Sequence, residues 1–168
     1  MNRYFGKYRG AVFNNVDPDR LGRIQVQVSD VTGLVPSTWA MPCVPFAGMQ
    51  EGVFYIPPIG SGVWVEFEQG NVDYPIWTGG YWTTTAEVPA LASATSPGLD
   101  LFVINTLQQN TLLVSDMPGP TGGILLKFKT GAFISISEIG ITLNNGQGAT
   151  IVMAGPSVTI NAGALVVT

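Results

Sequence analysis

Few residues of this chain could do chemistry: its 168 residues include no histidine and a single cysteine. Glu66 and Glu68 stand two positions apart in an alternating segment, which would place both carboxylates on one face of a strand. Paired carboxylates can act as general acid and base. Nothing nearby would shift the pKa of one against the other, so the pair favours a solvated strand face.

Cys43 is the one candidate nucleophile. It lies between Pro42 and Pro45 among apolar residues, and no histidine is present to activate it, so we expect a thiol buried in packing. One cysteine also allows no disulfide and no zinc-binding spacing. The sequence therefore predicts no enzyme, no catalytic residue, no metal and no cofactor.

Aromatic residues of the first half could stack on the bases of a nucleic acid, as in some small β-barrels. They are Trp64, Trp77, Tyr81 and Trp82. A net charge of −4 and a pI near 4.5 argue against that partner, because phosphate binding depends on clustered Lys and Arg. We therefore expect these rings to pack in a barrel core or rim, and no nucleic acid to bind.

One basic cluster lies before Ile24, and it forms either a solvated surface or a docking site for an acidic partner. Its members are Arg3, Lys7, Arg9, Arg20 and Arg23.

The elements that position these residues are short strands. The chain has 21 Gly, 12 Pro and only 11% charged residues, a composition that favours strands and turns over helices. Alternation over 23–28, 62–68 and 76–82 predicts three firm strands. About five strands in roughly 80 residues predict a small barrel over residues 1–83. Residues 84–110, which begin rich in Thr, Ala, Ser and Pro, are predicted to connect it to a second domain, 111–168.

The second domain consists of short units that each begin at a glycine, and the glycines of successive units are eight, nine, eight, seven and eight residues apart. Glycine permits a positive φ at a corner, so the pattern predicts strand and corner in alternation along an axis. The predicted corner residues are Gly123, Gly131, Gly140, Gly148, Gly155 and Gly163.

A coil of this kind needs more than one chain. Three faces of about eight residues take roughly 24 residues a turn, so the stretch supplies fewer than two turns. If three identical chains intertwine, their inward aliphatic side chains meet on the axis and each contributes roughly 1.5–3 kcal/mol. The predicted trimer core comprises Ile124, Leu126, Phe128, Ile134, Ile136, Ile141, Leu143, Ile151, Met153, Val158, Ile160, Leu165 and Val167.

Charge is nearly absent from the same stretch. After Lys129 the only ionisable side chain is Glu138, which suits a narrow closed prism better than a solvated surface. The alternative is an ordinary antiparallel sheet or an aggregation-prone tail. No apolar run reaches the length of a membrane span and the first residues lack the core of a signal peptide, so we expect synthesis in the cytoplasm.

Ordered motifs across residues 4–82 resemble a known family. They are Tyr8-Arg9-Gly10, Asn14-Asn15 with Asp17-Pro18 and Gly22-Arg23-Ile24, Trp39-Ala40, Ala47-Gly48, Ile56-Pro57-Pro58-Ile59-Gly60, Val63-Trp64-Val65 with Phe67-Glu68 and Gly70, and Tyr74-Pro75-Ile76-Trp77 with Gly79. This pattern closely resembles the OB-fold domain of contractile-tail central spikes, the baseplate assembly protein V and VgrG-like family. The stretch 112–119 is similar to that family's entry into its β-helix.

The resemblance implies an all-β homotrimer, an N-terminal OB-fold barrel followed by an intertwined triple-stranded β-helix. It implies a structural spike in a phage tail or injection-machine baseplate, with a hub or tube protein at the OB-fold end. Sheath contraction would drive the spike through the target envelope. A PAAR-like tip protein is expected at the C-terminal end, on Leu165, Val166, Val167 and Thr168.

Other functions stay open on the sequence. The same fold could carry effectors in a secretion-type system. An OB-fold that binds single-stranded nucleic acid and a cell-wall hydrolase are further alternatives. The acidic pI speaks against the first of these two, and the absence of a nucleophile, base or metal set speaks against the second.

Overall fold

The structure is a computed structural model that describes residues 2–167, with the solvent exposure of Gly163 and the side chains of Val166 and Val167 outside the description. The chain divides into two compact units, Met1–Thr84 and Thr85–Thr168. Strands dominate both units, and the helical segments are single short turns.

The N-terminal unit is built on a five-stranded sheet in the order β2-β1-β6-β7-β3, with a separate two-stranded hairpin of β4 and β5. Its elements are β1 (Tyr8–Asn14), β2 (Gln25–Gln27), α1 (Ser29–Thr32), β3 (Met41–Pro42), β4 (Ala47–Gly48), β5 (Glu51–Gly52), β6 (Gly62–Phe67) and β7 (Pro75–Tyr81). All pairs are antiparallel except β3 with β7.

The sheet closes on itself through the segment that leads into β3. Isolated bridges join Ile24 to Ala40 and Gln27 to Pro36, so the free side of β2 meets residues 36–40. Because these residues run directly into β3, which pairs with β7, the five strands form a barrel. A closed barrel removes the exposed sheet edges.

Alternation in the sequence sets the barrel core. Val63, Val65 and Phe67 of β6 point inward, and the residues between them are partly exposed. Trp77 is fully buried, and its indole Nε1 donates a hydrogen bond to the carbonyl oxygen of Gly22 at 3.1 Å. The other core members are Val12, Ile24, Val26, Val28 and Ala40.

The C-terminal unit is one eight-stranded antiparallel sheet in which strand order equals chain order. After a 3-10 turn at Thr85–Glu87 and α2 (Ala90–Ser93), it comprises β8 (Leu101–Asn105), β9 (Thr111–Ser115), β10 (Gly123–Lys127), β11 (Phe133–Ser137), β12 (Gly140–Asn144), β13 (Thr150–Ala154), β14 (Ser157–Ile160) and β15 (Leu165–Val167). The strand β8 lies inside the range that the sequence predicts as connector, and it pairs along its full length with β9.

Connections alternate between the two ends of these strands. We call one side the loop edge, with connections 106–110, 128–132, 145–149 and 161–164, and the other the turn edge, with connections 116–122, 138–139 and 155–156. Consecutive strands are thus joined as hairpins within one sheet, whereas the glycine spacing predicted corners between successive faces. Within one chain the stretch is therefore a single antiparallel sheet whose alternation separates two faces.

Glycine is required at two strand starts. Gly123 and Gly140 have φ of 86° and 132°, and a Cβ on either would overlap the carbonyl oxygen of a neighbouring strand, at Ile136 and Met153 respectively. Gly131, Gly148 and Gly155 also have positive φ and lie in connections. Gly163 lies at the end of the 3-10 turn Asn161–Gly163.

Candidate assembly surface

Two rows of large apolar side chains run across all of the described strands of the C-terminal sheet, on one face. The pairing register aligns Ile124 with Ile136 and Leu126 with Ile134, and every neighbouring pair of strands continues the alignment. The turn-side row comprises Phe102, Val114, Ile124, Ile136, Ile141, Met153 and Val158; the loop-side row comprises Ile104, Leu112, Leu126, Ile134, Leu143, Ile151, Ile160 and Leu165.

These rows are open to solvent in the single chain. Ile124, Leu126, Ile134 and Ile136 are 42%, 48%, 44% and 45% exposed, although alternation on a sheet normally points such residues into a core. A contiguous apolar surface of this length is rare on monomeric proteins and marks an interaction site. The face as a whole therefore requires a covering partner.

The opposite face is different in chemistry. Between Ile134 and Ile136 stands Ser135, which is paired with Thr142 and with Leu125 on its two neighbouring strands. Thr159 lies opposite Val152 further along. Ser135 and Thr159 are suited to solvent, but the same face also carries Leu125, Val152 and the buried Leu113, which is 4% exposed. The opposite face is therefore mixed in character and less exposed than the two rows.

An open groove of about 510 Å³ follows the loop-side row, between Ile104, Leu112, Leu126 and Ile134. Phe128, predicted in the trimer core, also lines it but lies beyond the end of β10, in the connection 128–132, and is 49% exposed. It therefore belongs to the loop edge and not to the paired rows. A second groove of about 460 Å³ continues past Leu143 and Ile160.

Sequence reasoning missed the first part of both rows. Phe102 and Ile104 of β8, and Leu112 and Val114 of β9, lie in register with the predicted residues. Their alternation was visible, but only the pairing of β9 with β10 shows that they share the face. Of the predicted tip-docking residues, Leu165 lies in β15 and is 53% exposed, the side chains of Val166 and Val167 are not described, and Thr168 lies outside the described residues.

Four of the five basic residues of the N-terminal unit, all but Arg20, have a side chain engaged locally. Lys7 Nζ lies 3.1 Å from a carboxylate oxygen of Glu66 and donates to the Thr78 hydroxyl at 2.9 Å. The guanidinium of Arg9 lies 5.7 Å from the centroid of the Trp64 ring and 5.4 Å from that of Tyr81. Arg3 donates to the carbonyl oxygen of Gln69, and Arg20 has a left-handed φ of 56° in a turn.

Arg23 is tied inside the β1–β2 connection. Its guanidinium binds Asp17 and Asp19 and lies over the ring of Trp39. Asp17 also accepts hydrogen bonds from the backbone amides of Asp19, Leu21 and Arg23. Hydrogen bonding from Arg23 holds the pKa of the Asp17 carboxyl well below its ordinary value, against the opposite effect of burial. This network stabilises a turn and leaves Arg23 only 17% exposed.

Two expectations about reactive residues are wrong. Glu68 does not share a strand face with Glu66, because β6 ends at Phe67 and the next residues enter a 3-10 turn in which Gln69 has a φ of 51°. Cys43 is exposed instead of buried, since it follows the short edge strand β3. Within residues 2–167, no group of His, Cys, Asp and Glu residues could hold a metal ion.

The aromatic side chains divide by position. Trp77 is a core residue, Trp64 and Tyr81 contact each other on the outer surface of the barrel at 5.0 Å between centroids, and Trp82 is 63% exposed. No helix in the described part of the chain is long and apolar enough to span a membrane.

Comparison with known families gives two matches. Residues 8–82 match the family model described as the Type VI secretion system/phage-baseplate injector OB domain, and residues 102–166 match the phage baseplate V C-terminal trimerisation domain. A comparison with curated proteins gives no match. The matches confirm the predicted all-β architecture, an OB-fold domain followed by a trimerisation domain, and they cover the two apolar rows through Leu165.

Proposed function

Because the chain belongs to the baseplate protein V family of phage tails and related injection machines, we propose that it is the central spike of such a baseplate, driven through the target envelope when the sheath contracts. The family members matched are structural components of a virion or injection machine, and the trimerisation domain makes the chain a homotrimer. Piercing and tip attachment are the steps proposed beyond this.

The observation that carries the proposal is the apolar face of the C-terminal sheet. Three copies that turn both rows toward a common axis cover the face of every copy at once. Each half-exposed aliphatic then gains roughly 1 kcal/mol on full burial, and every position counts three times. We call the trimer of C-terminal sheets the shaft. Eight strands spaced by about 4.8 Å make the shaft about 34 Å long between its outer strands.

Rigidity and neutrality of the shaft support piercing. Between Thr130 and Thr168 the only ionisable side chain is Glu138, so few charges would have to cross the apolar layer of a membrane. Passage through lipid also requires that backbone N–H and C=O groups be hydrogen-bonded within the protein. Inside the sheet these groups are paired strand to strand. A closed prism of this kind resists bending because each strand is held by two neighbours.

Partners are proposed at the two domains. A hub or tube protein would bind the OB-fold unit, where Arg3, Lys7 and Arg9 remain exposed cations, although Lys7 is already paired with Glu66. A tip protein would bind at β15, which is the edge strand of the sheet and has one unpaired side in the described structure. An effector fused to or carried by that tip is the secretion-type version of the same function.

The test uses purified contractile particles that carry this chain. Image reconstruction of extended particles should show three-fold density for the chain at the baseplate centre. In contracted particles this density should be absent or should lie farther out from the baseplate. Particles that lack the chain should contract without permeabilising their target. Density for the chain elsewhere in the particle, or full permeabilisation without it, would contradict the proposal.

A further inference from the structure

The loop edge and the turn edge of the C-terminal sheet, which are the two rows of strand ends, carry opposite charges. Lys127 ends β10 at the loop edge, and Lys129 lies in the connection 128–132 of the same edge. Asp116 and Glu138 lie in connections of the turn edge, where Asp100 also stands directly before β8. Apart from Glu87, which precedes the sheet, these are all the charged residues between 85 and 168.

Among the described residues these charges form no ion pair. The side chains of Lys127, Lys129, Asp116 and Glu138 are exposed, and the ion pairs of the described residues all lie in the N-terminal unit. Glu138 accepts one hydrogen bond, from the backbone amide of Gly119 at 2.9 Å, which fixes its carboxylate along the turn edge. The five strand positions between the edges hold the opposite charges on the order of 15 Å apart in one copy.

Cyclic symmetry decides which edges meet. When three copies surround an axis, each contact is heterologous, so the loop edge of one sheet meets the turn edge of the next and like edges never meet. We propose that the Lys127 and Lys129 edge of each copy packs against the Asp116 and Glu138 edge of its neighbour, and that ion pairs between them join the strand ends at the three corners of the trimer. The proposal rests on the trimer of the proposed function.

Axial positions along the sheet fit this contact. Asp116 follows β9, Lys127 and Lys129 lie at β10 and just after it, and Glu138 lies between β11 and β12. With about 4.8 Å between strands, each acidic group stands about 5–7 Å along the axis from a lysine of the facing edge, within reach of that side chain. Each exposed ion pair adds little to stability, so the pairs supplement the apolar rows by making the contact between opposite edges electrostatically favourable.

Disulfide trapping tests the contact in the full chain, with Cys43→Ser as the background. The first variant carries Lys129→Cys with Glu138→Cys, the second Lys129→Cys with Asp116→Cys. Mild oxidation should convert at least one of them into covalent dimers and trimers on a non-reducing gel. The matched control, Lys129→Cys with Gln147→Cys, has both thiols on the loop edge and should give no covalent oligomer.

The outcomes separate the edge contact from the trimer itself. If mass measurement gives a trimer for these chains and neither opposite-edge variant cross-links, or the control cross-links equally, the edge contact is overturned and the trimer stands. A monomeric Cys43→Ser chain would overturn both proposals.

Charge reversal gives an independent measurement. Lys127→Glu with Lys129→Glu should lower the thermal midpoint of the trimer in low salt by a few degrees, and adding Asp116→Lys with Glu138→Lys should restore it. Equal midpoints for all of these chains would contradict a role of the charges in joining the edges.

Discussion

Ile124 and Ile136 lie directly opposite each other on β10 and β11, and both side chains face the open side of the sheet at nearly equal exposure, 42% and 45%. This pair is one step in rows that repeat across every strand of the unit. An aligned pair of this kind normally belongs to a core. Here the core is completed only when other copies arrive.

The trimer should therefore be sensitive to charge on one face of β11 only. Ile136→Lys places an unpaired ammonium in the predicted axis three times, which costs several kcal/mol for each burial and should give monomers. Ser135→Lys, one residue earlier and on the other face, should remain trimeric. Light scattering at micromolar concentration measures both. Trimeric Ile136→Lys would show that the rows do not face the axis.

Acid should weaken the N-terminal unit through Asp17. Its pKa in the folded chain lies below the ordinary value of 3.8, so the stability it contributes is fully present above about pH 4 and is lost as the pH falls through the lower, folded value. Thermal midpoints measured from pH 6 down to pH 2 should fall for the native chain. In Asp17→Asn the midpoint should start lower and depend less on pH.

Asp19→Asn is the control for that measurement. The Asp19 side chain is 62% exposed and binds the same guanidinium from solvent, so its loss should change the midpoint less than Asp17→Asn does. An acid response of Asp17→Asn equal to that of the native chain would assign the loss of stability to other carboxylates.

Gly140 should tolerate no side chain. Gly140→Ala combines a φ of 132° with overlap on the carbonyl oxygen of Met153, and it should cost roughly 2–3 kcal/mol or displace β12 from β13. Gly148→Ala has a positive φ but open space around the added Cβ, so we expect a cost of about 1 kcal/mol. Chemical denaturation of both variants gives the difference. Equal costs would mean that φ alone requires the glycine.

Trp77 should matter more than its neighbour Trp82. Trp77→Phe removes the hydrogen bond to Gly22 and leaves that buried carbonyl without its donor, at a cost of roughly 1–3 kcal/mol. Trp82→Phe, at an exposed ring, should change stability by about 0.5 kcal/mol or less. Fluorescence-detected unfolding in urea compares the two. A loss in Trp82→Phe as large as in Trp77→Phe would indicate that Trp82 is covered by another part of the protein.

Alternation was enough to predict the barrel strands β2, β6 and β7 and the apolar face. Val26 and Val65 lie where a period of two places them, and the predicted strand residues from Ile124 to Leu165 share one face because register preserves the same period. Pairing partners were not visible: Phe102 and Leu112 join the rows only because β8, β9 and β10 are neighbours. Exposure of Cys43 and the left-handed turn after Phe67 depend on tertiary placement and on one residue's φ, which local pattern does not encode.

Strand order that equals chain order also shapes how the C-terminal unit forms. Every strand finds its partner a few residues away, so the sheet can grow one hairpin at a time with low contact order. Closing the prism is different in kind, because it requires three chains to meet and its rate rises with their concentration. Until then each new chain exposes the apolar face of its C-terminal sheet, and fast local folding without prompt association would favour aggregates. Production of the chain at high local concentration, beside its sister copies, is the condition under which this architecture assembles cleanly.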